Sequence, residues 1–198
     1  MTSELTVYEL RQYQVMPGRL DVALDRFQNH LPAIFARHGI RNVGRWTVAT
    51  GSGGPGFAYL MAYSSLAERE RVWTKFYDDD EWWHVRAATQ GDEEATERFD
   101  IHFLRANPKW VSAPVPAGHL RGTHDLIFAE LALGKQAQAN DWWHEIYLPA
   151  LENLGARVML VADFITGPAL PRLAVMLAWT DAATRREGWL RLNADPAI

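Results

Sequence analysis

The sequence predicts an α+β fold in which two similar β-α-β-β-α-β units follow one another along the chain. Two observations predict it. In the first half, apolar residues alternate with the period of a strand or recur at the spacing of a helix, in the order strand, helix, strand, strand, helix, strand. In the second half, several motifs of the first half return in the same order, which indicates an internal repeat.

The first unit begins with a strand and a long helix. A period-two pattern runs from Leu5 to Val15, and Pro17-Gly18 then predicts a turn. An apolar stripe from Leu20 to His38 predicts one helix, and Gly39 follows where a left-handed residue commonly ends a helix.

The rest of the first unit reads as a hairpin, two helices and a strand. Residues 41–49 and 57–64 predict two strands joined by the loop "GSGGPG". Ser65 and Glu68 have the spacing of a capping box, which opens a helix through Tyr77. Asp80 predicts the cap of a short extra helix over "EWWHVRAATQ", and "FDIHFL" at 99–104 predicts the fourth strand.

The repeat places the second unit. "LPAI" at 31–34 recurs as "LPAL" at 148–151, and "AYSSLAERERVW" at 62–73 recurs as "AWTDAATRREGW" at 178–189. Proline inside a helix costs roughly 3 kcal/mol, so its recurrence at one place in both halves argues against chance. The repeat predicts three strands, "DLIFAELAL", "ARVMLVADFI" and "RLAVMLAWT", with one helix between the first two and another capped by Asp181.

These patterns predict the domain boundaries. Residues 1–106 form the first unit, the proline-rich residues 107–123 a linker, and residues 124–198 the second unit. The second unit has no match for "FDIHFL", so we predict that it lacks its last strand. Its exposed edge then remains free or is covered by a neighbour.

Composition limits the possible partners and compartments. A net charge of -4 gives no basic footprint for nucleic acid or an anionic membrane surface, and neither is expected as a partner. The sequence has no cysteine, which excludes disulfides, thiolate zinc sites and a cysteine nucleophile. No signal segment and no apolar run of the ~20 residues that span a bilayer is seen, so we expect a cytoplasmic protein. Nine tryptophans predict a ring-lined core, cavity or interface.

Three segments carry a family resemblance. "VYELRQYQVMPGRLD", "HLPAIFARHGIRNVGRW" and "YLMAYSSLAERERVW" together resemble the NIPSNAP family, within the wider group of dimeric α+β barrels. The resemblance covers nearly all of the first repeat; the second repeat retains only the Leu-Pro-Ala motif and the helix that ends in tryptophan. It implies two ferredoxin-like units whose sheets face one another, and we expect a homo-oligomer. It implies little about chemistry, because a fold does not fix a function.

The first strand carries the main candidate site. Glu9, Arg11 and Tyr13 share one face of it, and Tyr8 and Leu10 share the other. Because the face under the helices is expected to be apolar, we predict that the polar trio points into a chamber between the two sheets. Further candidates for this chamber are Asp100, His102, Tyr59, Tyr63, Trp46 and His30.

Two interpretations of this site remain open. Glu9 and Arg11 could form an intersheet ion pair that holds the halves in register. Alternatively they belong to a ligand-binding or catalytic site, with His102 as general base and Arg11 holding an anionic or enolate oxygen. In the catalytic version Asp100 or Glu9 sets the tautomer of His102. The matching strand of the second unit lacks Arg and Tyr, so such a site is built mainly from the first unit.

Neither a metal nor a cofactor is predicted. No H-x-H or H-E-x-x-H pattern occurs among the seven histidines. Haem is the alternative to no cofactor, because some barrels of this build carry it on a histidine, but no single histidine is marked out. "GSGGPG" matches G-x-G-x-x-G, yet a strand follows it where a dinucleotide site needs a helix.

The function predicted from these residues is the binding of a small apolar or aromatic molecule in the chamber between the sheets. This includes a cofactor-independent enzyme of secondary or aromatic metabolism. The alternative is a non-catalytic oligomeric scaffold that uses its aromatic residues in subunit contacts.

Overall fold

The computed structural model describes residues 6–51, 54–91 and 93–198. Leu5, where the sequence predicts the first strand to begin, lies outside these residues, as do Ser52 and Gly53 of the glycine-rich loop. The chain divides into two compact units, one ending at Phe103 and the other beginning at Leu104. Each unit is described by itself.

The first unit is a sheet covered by helices. Its strands lie in the order β2-β3-β1-β4, and β3 pairs antiparallel with both of its neighbours. The elements are β1 (Val7–Val15), α1 (Leu20–Asp25), a first π turn (Arg26–His30), α2 (Leu31–His38), β2 (Arg41–Val48), β3 (Gly56–Tyr63), α3 (Leu66–Tyr77), α4 (Asp80–Gln90) and β4 (Thr96–Ala106).

The second unit repeats this plan with fewer strands. Its sheet has the order β6-β7-β5, and Leu104–Ala106 at the end of β4 pair with β6. The elements are α5 (Ala117–Leu120), β5 (Thr123–Glu130), α6 (Gln136–Trp142), a second π turn (Trp143–Tyr147), α7 (Leu148–Asn153), β6 (Arg157–Phe164), β7 (Arg172–Trp179) and α8 (Ala182–Asn193). In the described residues no strand follows α8. The predicted fold class, with a second unit that lacks its last strand, is therefore confirmed.

The long helix of each unit contains a π-helical turn that the sequence analysis did not predict. The turn ends one residue before Leu31 in the first unit and one residue before Leu148 in the second. A proline follows each of these leucines, and proline has no N–H to donate to the carbonyl four residues earlier. A wider turn just before the proline absorbs this break, which explains why the prolines of the repeat are tolerated.

Caps fix where the helices begin and end. Gly39 is left-handed (φ 74°) and ends α2 as predicted. Ser65 caps α3 by accepting a hydrogen bond from the Glu68 amide at 3.0 Å. Asp79, rather than the predicted Asp80, caps α4: its backbone is extended, so its carboxylate reaches the Glu81 amide at 2.9 Å.

Each unit has its own apolar core, and no helix in the described part of the chain is long and apolar enough to cross a bilayer. In the second unit the fully buried ring of Trp179 packs against α8 at Gly188. A Cβ built at Gly188 would lie 2.5 Å from the Trp179 ring, which is closer than real Cβ atoms come to a neighbour. Only glycine lets this helix approach the sheet so closely.

We expect Gly188→Ala to lower the free energy of unfolding by about 1–3 kcal/mol, because the added methyl overpacks the core around Trp179. At an ordinary helix position the same change would be stabilising, since alanine is the better helix former. Gly118→Ala in α5 is the matched control, because a Cβ there meets nothing within 4 Å. Urea unfolding of both variants measures the difference; equal stability would show that Trp179 does not constrain Gly188.

Candidate functional site

A buried ion cluster lies between the sheet and the helices of the first unit. Glu9 is 0% exposed and Arg11 is 2% exposed. The Glu9 carboxylate accepts a hydrogen bond from Arg11 Nε at 2.6 Å, and from Arg69 Nε at 2.8 Å and Nη2 at 3.2 Å. Arg69 comes from α3, so this carboxylate joins β1 to the helix above it. We call Glu9, Arg11, Arg69 and Trp73 the Glu9 cluster.

Arg11 is held by aromatic groups on its other sides. Its guanidinium carbon lies 3.8 Å from the centre of the Trp73 ring, within cation–π distance. Its Nη1 atom lies 3.4 Å from the Tyr13 hydroxyl and 3.5 Å from the Tyr59 hydroxyl, and these hydroxyls are 3.0 Å apart. The contacts from Nη1 are long for hydrogen bonds, so this end of the guanidinium is weakly satisfied.

The Glu9 cluster carries more positive than negative charge. It contains one carboxylate and two guanidinium groups, and Glu70 pairs with Arg69 only on the exposed side of α3, at 3.3 Å. Burial lowers the pKa of Arg11, whereas the neighbouring tyrosine hydroxyls and Glu9 raise it; its net pKa lies above the usual value. Arg11 is therefore a charged group beneath the helices, neutralised through Nε alone.

An aromatic cavity of about 610 Å³ opens beside Arg11 within the first unit. Arg11, Tyr13 and Tyr59 form its polar end. The Tyr13 ring stacks on Phe57 and Phe99, with centroids 4.7 and 5.0 Å away. Aromatic side chains from the sheet and the helices form most of the remaining wall: Phe27, Phe35, Phe57, Trp73, Phe76, Tyr77, Trp82, Trp83 and Phe99.

The cavity also contains polar groups that the sequence analysis did not single out. Arg26, in the first π turn, is 5% exposed and donates to the Thr89 hydroxyl at 2.7 Å. Burial lowers the pKa of Arg26. Trp82 lines the cavity from α4, and its indole Nε1 is buried with no hydrogen-bond partner among the described residues. A buried donor without an acceptor is uncommon in proteins.

The predicted facing of β1 is wrong. Glu9, Arg11 and Tyr13 do share one face, but it is the face covered by the helices, where Arg69 and Trp73 contact them. A sheet face covered by helices is ordinarily apolar, which is the reason for the opposite expectation. A charged strand is accommodated here because Glu9 neutralises part of the charge of both arginines, and Trp73 packs on the guanidinium of Arg11.

The predicted catalytic trio is therefore not assembled. Phe99 and Phe103 of β4 contact Tyr13 and Arg69 on the helix-covered face. His102 and Asp100 alternate with these rings and lie on the opposite face of the strand. His102 as a general base with Arg11 and Glu9 is excluded by this geometry.

The other predicted residues divide between the two faces and the surface. Tyr59 lines the cavity, and Tyr63 supports it from behind by accepting a hydrogen bond from Trp73 Nε1 at 2.8 Å. Arg45 reaches the Phe27 carbonyl on the helix-covered face, so its neighbour Trp46 lies on the other face. His30 is half-buried at the end of the first π turn, 3.5 Å from Asp25, and does not line the cavity.

A related cluster occurs in the second unit. Asp125 accepts hydrogen bonds from Arg185 Nε at 2.6 Å and from the indoles of Trp189 and Trp179 at 2.8 and 2.9 Å. The two carboxylates occupy equivalent positions in their sheets. Glu9 lies opposite Met61, two residues before the tyrosine that ends β3, and Asp125 lies opposite Leu177, two residues before the tryptophan that ends β7. Carboxylate, arginine and tryptophan thus recur in both units.

The cavity end does not recur. By the same register, Ile127 stands in the place of Arg11, opposite Val175 where the first unit has Tyr59. Ala129 stands in the place of Tyr13. The carboxylate–arginine–tryptophan group therefore belongs to the repeated scaffold, and Arg11 with its two tyrosines is specific to the first unit.

Among the described residues no group of three or more histidine, aspartate or glutamate side chains is placed to hold a metal ion. The polar groups that line the cavity around Arg11 are guanidinium and phenol groups, which are not the usual ligands of metals in proteins.

The fold and the sequence place the chain in a class and then in a family. The strand order β2-β3-β1-β4 with helices on one face is that of a ferredoxin-like α+β unit. The sequence model of the NIPSNAP family matches residues 8–109, which is just over half of the 198 residues. The chain belongs to the NIPSNAP family, and the resemblance predicted from the sequence is confirmed.

Several solved structures are similar to this chain. A NIPSNAP family protein of unknown function from Agrobacterium tumefaciens is 20% identical, covers 51% of this chain and 87% of its own, and has a TM-score of 0.45. A NIPSNAP-like domain protein from Burkholderia xenovorans is 21% identical over 56% of this chain and 91% of its own, with a TM-score of 0.47. A provisionally assigned monooxygenase from Lactobacillus acidophilus is 10% identical over 93% of this chain and 81% of its own, with a TM-score of 0.50. A search of curated proteins finds no match.

We expect Glu9→Gln to lower the free energy of unfolding by about 3–5 kcal/mol, because it leaves two guanidinium groups without their shared buried carboxylate. Glu70→Gln is the matched control: it removes the exposed carboxylate next to the same Arg69 and should have little effect. Thermal and urea unfolding compare the two. Similar losses in both variants would show that the buried cluster does not hold β1 to α3.

A second prediction concerns alkaline pH. Burial raises the pKa of Tyr59 well above its usual value, and the neighbouring Tyr13 adds to this, while Arg11 opposes it. Because the folded-state pKa exceeds the unfolded one, the unfolded chain loses this proton first. The contribution of the protonated Tyr59 hydroxyl to the free energy of unfolding is therefore complete below about pH 10 and is lost as the pH rises further.

Urea unfolding at intervals between about pH 9 and pH 11 tests this. The free energy of unfolding should fall less steeply with pH in Tyr59→Phe than in the wild type, because the variant has no proton to lose at this position. Parallel curves for the two proteins would contradict the assigned environment of Tyr59.

Proposed function

We propose that the first unit binds a small aromatic molecule in its aromatic cavity. The observation that carries this proposal is the cavity itself: about 610 Å³, within the range of small-molecule sites, with mainly aromatic walls and a few convergent polar groups. Rings that line a cavity bury large apolar areas against a planar ligand and fix its orientation by stacking or edge contacts. The buried indole N–H of Trp82 supports the same proposal, because a ligand would supply its missing acceptor.

The proposed position of the ligand differs from the one predicted from sequence. It lies between the sheet and the helices of the first unit instead of between two sheets. The aromatic residues expected to surround the molecule, Tyr13 and Tyr59, line this cavity as well.

Binding is better supported than a reaction. The described residues around the cavity include no histidine, and His102 lies on the other face of β4. Glu94 and Glu97 line the cavity, but Glu94 pairs with Arg86 at 2.5 Å and Glu97 accepts from Gln14 at 2.8 Å. Each of these carboxylates is therefore already held by a donor of the protein, and no observation sets either apart as a general base.

Filling the cavity tests the proposal. Ala23 of α1 is buried and lines the cavity, so we expect Ala23→Leu to occupy ligand space and to raise the Kd for 2-naphthamide, a neutral aromatic probe, by about tenfold. Isothermal titration measures the affinity. Urea unfolding should show that the variant remains folded, since filling a cavity commonly stabilises a protein.

Ala33→Leu is the matched control, because Ala33 is exposed on the neighbouring α2 and does not line the cavity. It should bind the probe as the wild type does. If all three proteins bind 2-naphthamide equally, the cavity is not the site at which the aromatic molecule binds.

A further inference from the structure

We infer that the ligand of the aromatic cavity is an aromatic carboxylate, whose negatively charged oxygens bind Arg11 and the paired hydroxyls of Tyr13 and Tyr59. This inference rests on the proposed function and adds the chemical class of the ligand. It follows from the charge of the Glu9 cluster, from the unused donors around the cavity, and from the satisfied acceptors at its edge.

The excess charge of the cluster is located at Arg11. Arg69 donates hydrogen bonds to both carboxylate oxygens of Glu9 and is also close to the exposed Glu70. Arg11 donates one hydrogen bond to Glu9, through Nε, and its other hydrogen-bond partners are two neutral phenols. A buried cation is costly unless an anion compensates it, and the second anion would have to enter from the cavity that Arg11 lines.

Each hydrogen-bonding group at this end can donate: one guanidinium and two phenol hydroxyls. Among the described residues the hydrogen bonds of Arg11 involve Nε and Nη1, so Nη2 is available to a ligand. Tyr13 and Tyr59 have two hydroxyl protons, and their mutual contact at 3.0 Å uses one of them. A guanidinium N–H and one phenol O–H therefore remain, which matches the two acceptor oxygens of a carboxylate.

The guanidinium is also positioned in advance. It lies on the Trp73 ring at 3.8 Å and is tied to Glu9 at 2.6 Å, so the side chain loses little freedom when an anion binds. Preorganised charge of this kind binds an anion more tightly than a mobile surface arginine does.

Other groups around the cavity favour the same class of ligand. The carboxylates of Glu94 and Glu97 already have donors, so no acceptor there requires a cationic ligand. Arg26 is the other buried cation, but it is already bonded to the Thr89 hydroxyl and to the Arg86 carbonyl at 3.4 Å. The unpartnered indole of Trp82 is one more donor. A ligand that complements these buried cations and donors supplies hydrogen-bond acceptors and negative charge.

Two probes that differ only in the charged group test the inference. 2-Naphthoate and 2-naphthamide have the same ring and nearly the same size, and only the first is an anion at neutral pH. We expect the wild-type protein to bind 2-naphthoate at least about tenfold more tightly in isothermal titration, since hydrogen bonds to charged groups contribute more than neutral ones.

Arg11→Met should bring this ratio close to one while 2-naphthamide still binds. Arg41→Met, which removes an exposed arginine of β2 outside the cavity, should leave the ratio unchanged. Should Arg11→Met fail to fold, Tyr13→Phe provides the second variant: it removes a hydroxyl from a half-buried ring and should weaken 2-naphthoate more than 2-naphthamide.

Equal affinities of the two probes in the wild type would overturn the inference while leaving the proposed aromatic site intact. The same holds if Arg26→Met, and not Arg11→Met, abolishes the preference for the anion. If neither probe binds, or if Ala23→Leu changes neither affinity, the proposed function fails and the inference fails with it.

Discussion

Glu9 lies between two guanidinium groups on a strand that helices cover, and the arrangement of the first unit depends on this carboxylate. Its bonds to Arg69 join α3 to β1, and its bond to Arg11 fixes that guanidinium against the Trp73 ring. Both arginines would be costly under the helices without a shared anion. The position of α3 in turn brings Trp73 and Phe76 to the cavity wall. The same carboxylate thus holds the scaffold together and positions the polar end of the cavity.

The internal repeat separates these two roles. In the second unit Asp125 binds Arg185, Trp189 and Trp179, so a carboxylate that ties the first strand to the helix after the β-hairpin is a general feature of this scaffold. An arginine on the strand itself is not, because Ile127 occupies the equivalent place. The scaffold and the site therefore use positions two residues apart on one strand, whose side chains point to the same face. Glu9 anchors the helix, and Arg11 faces the cavity.

The sequence predicted the order of elements, the repeat and the residues that share a face of β1, because these depend on local periodicity and spacing. It did not predict which face the helices cover, because a period of two defines a set of residues and not the side they occupy. The neutralising partner of Glu9 comes from Arg69, which in sequence resembles one more charge on the solvent face of a helix. A signal was nevertheless present: Arg69 and Trp73 are four residues apart, as are Arg185 and Trp189, which places each arginine on the same helix face as a tryptophan that packs on the core.

The comparison between the units also bears on why Arg11 is charged at all. Replacing buried ionic groups with apolar ones of similar size is often neutral or stabilising, and the second unit shows that an isoleucine is compatible with the same strand, the same anchoring carboxylate and the same helix. The repeated scaffold therefore does not account for the guanidinium at residue 11. A buried cation at the end of a cavity with aromatic walls supports the proposed anionic ligand. The physical cost of Arg11 in the empty protein is the reason to expect an anion in the occupied one.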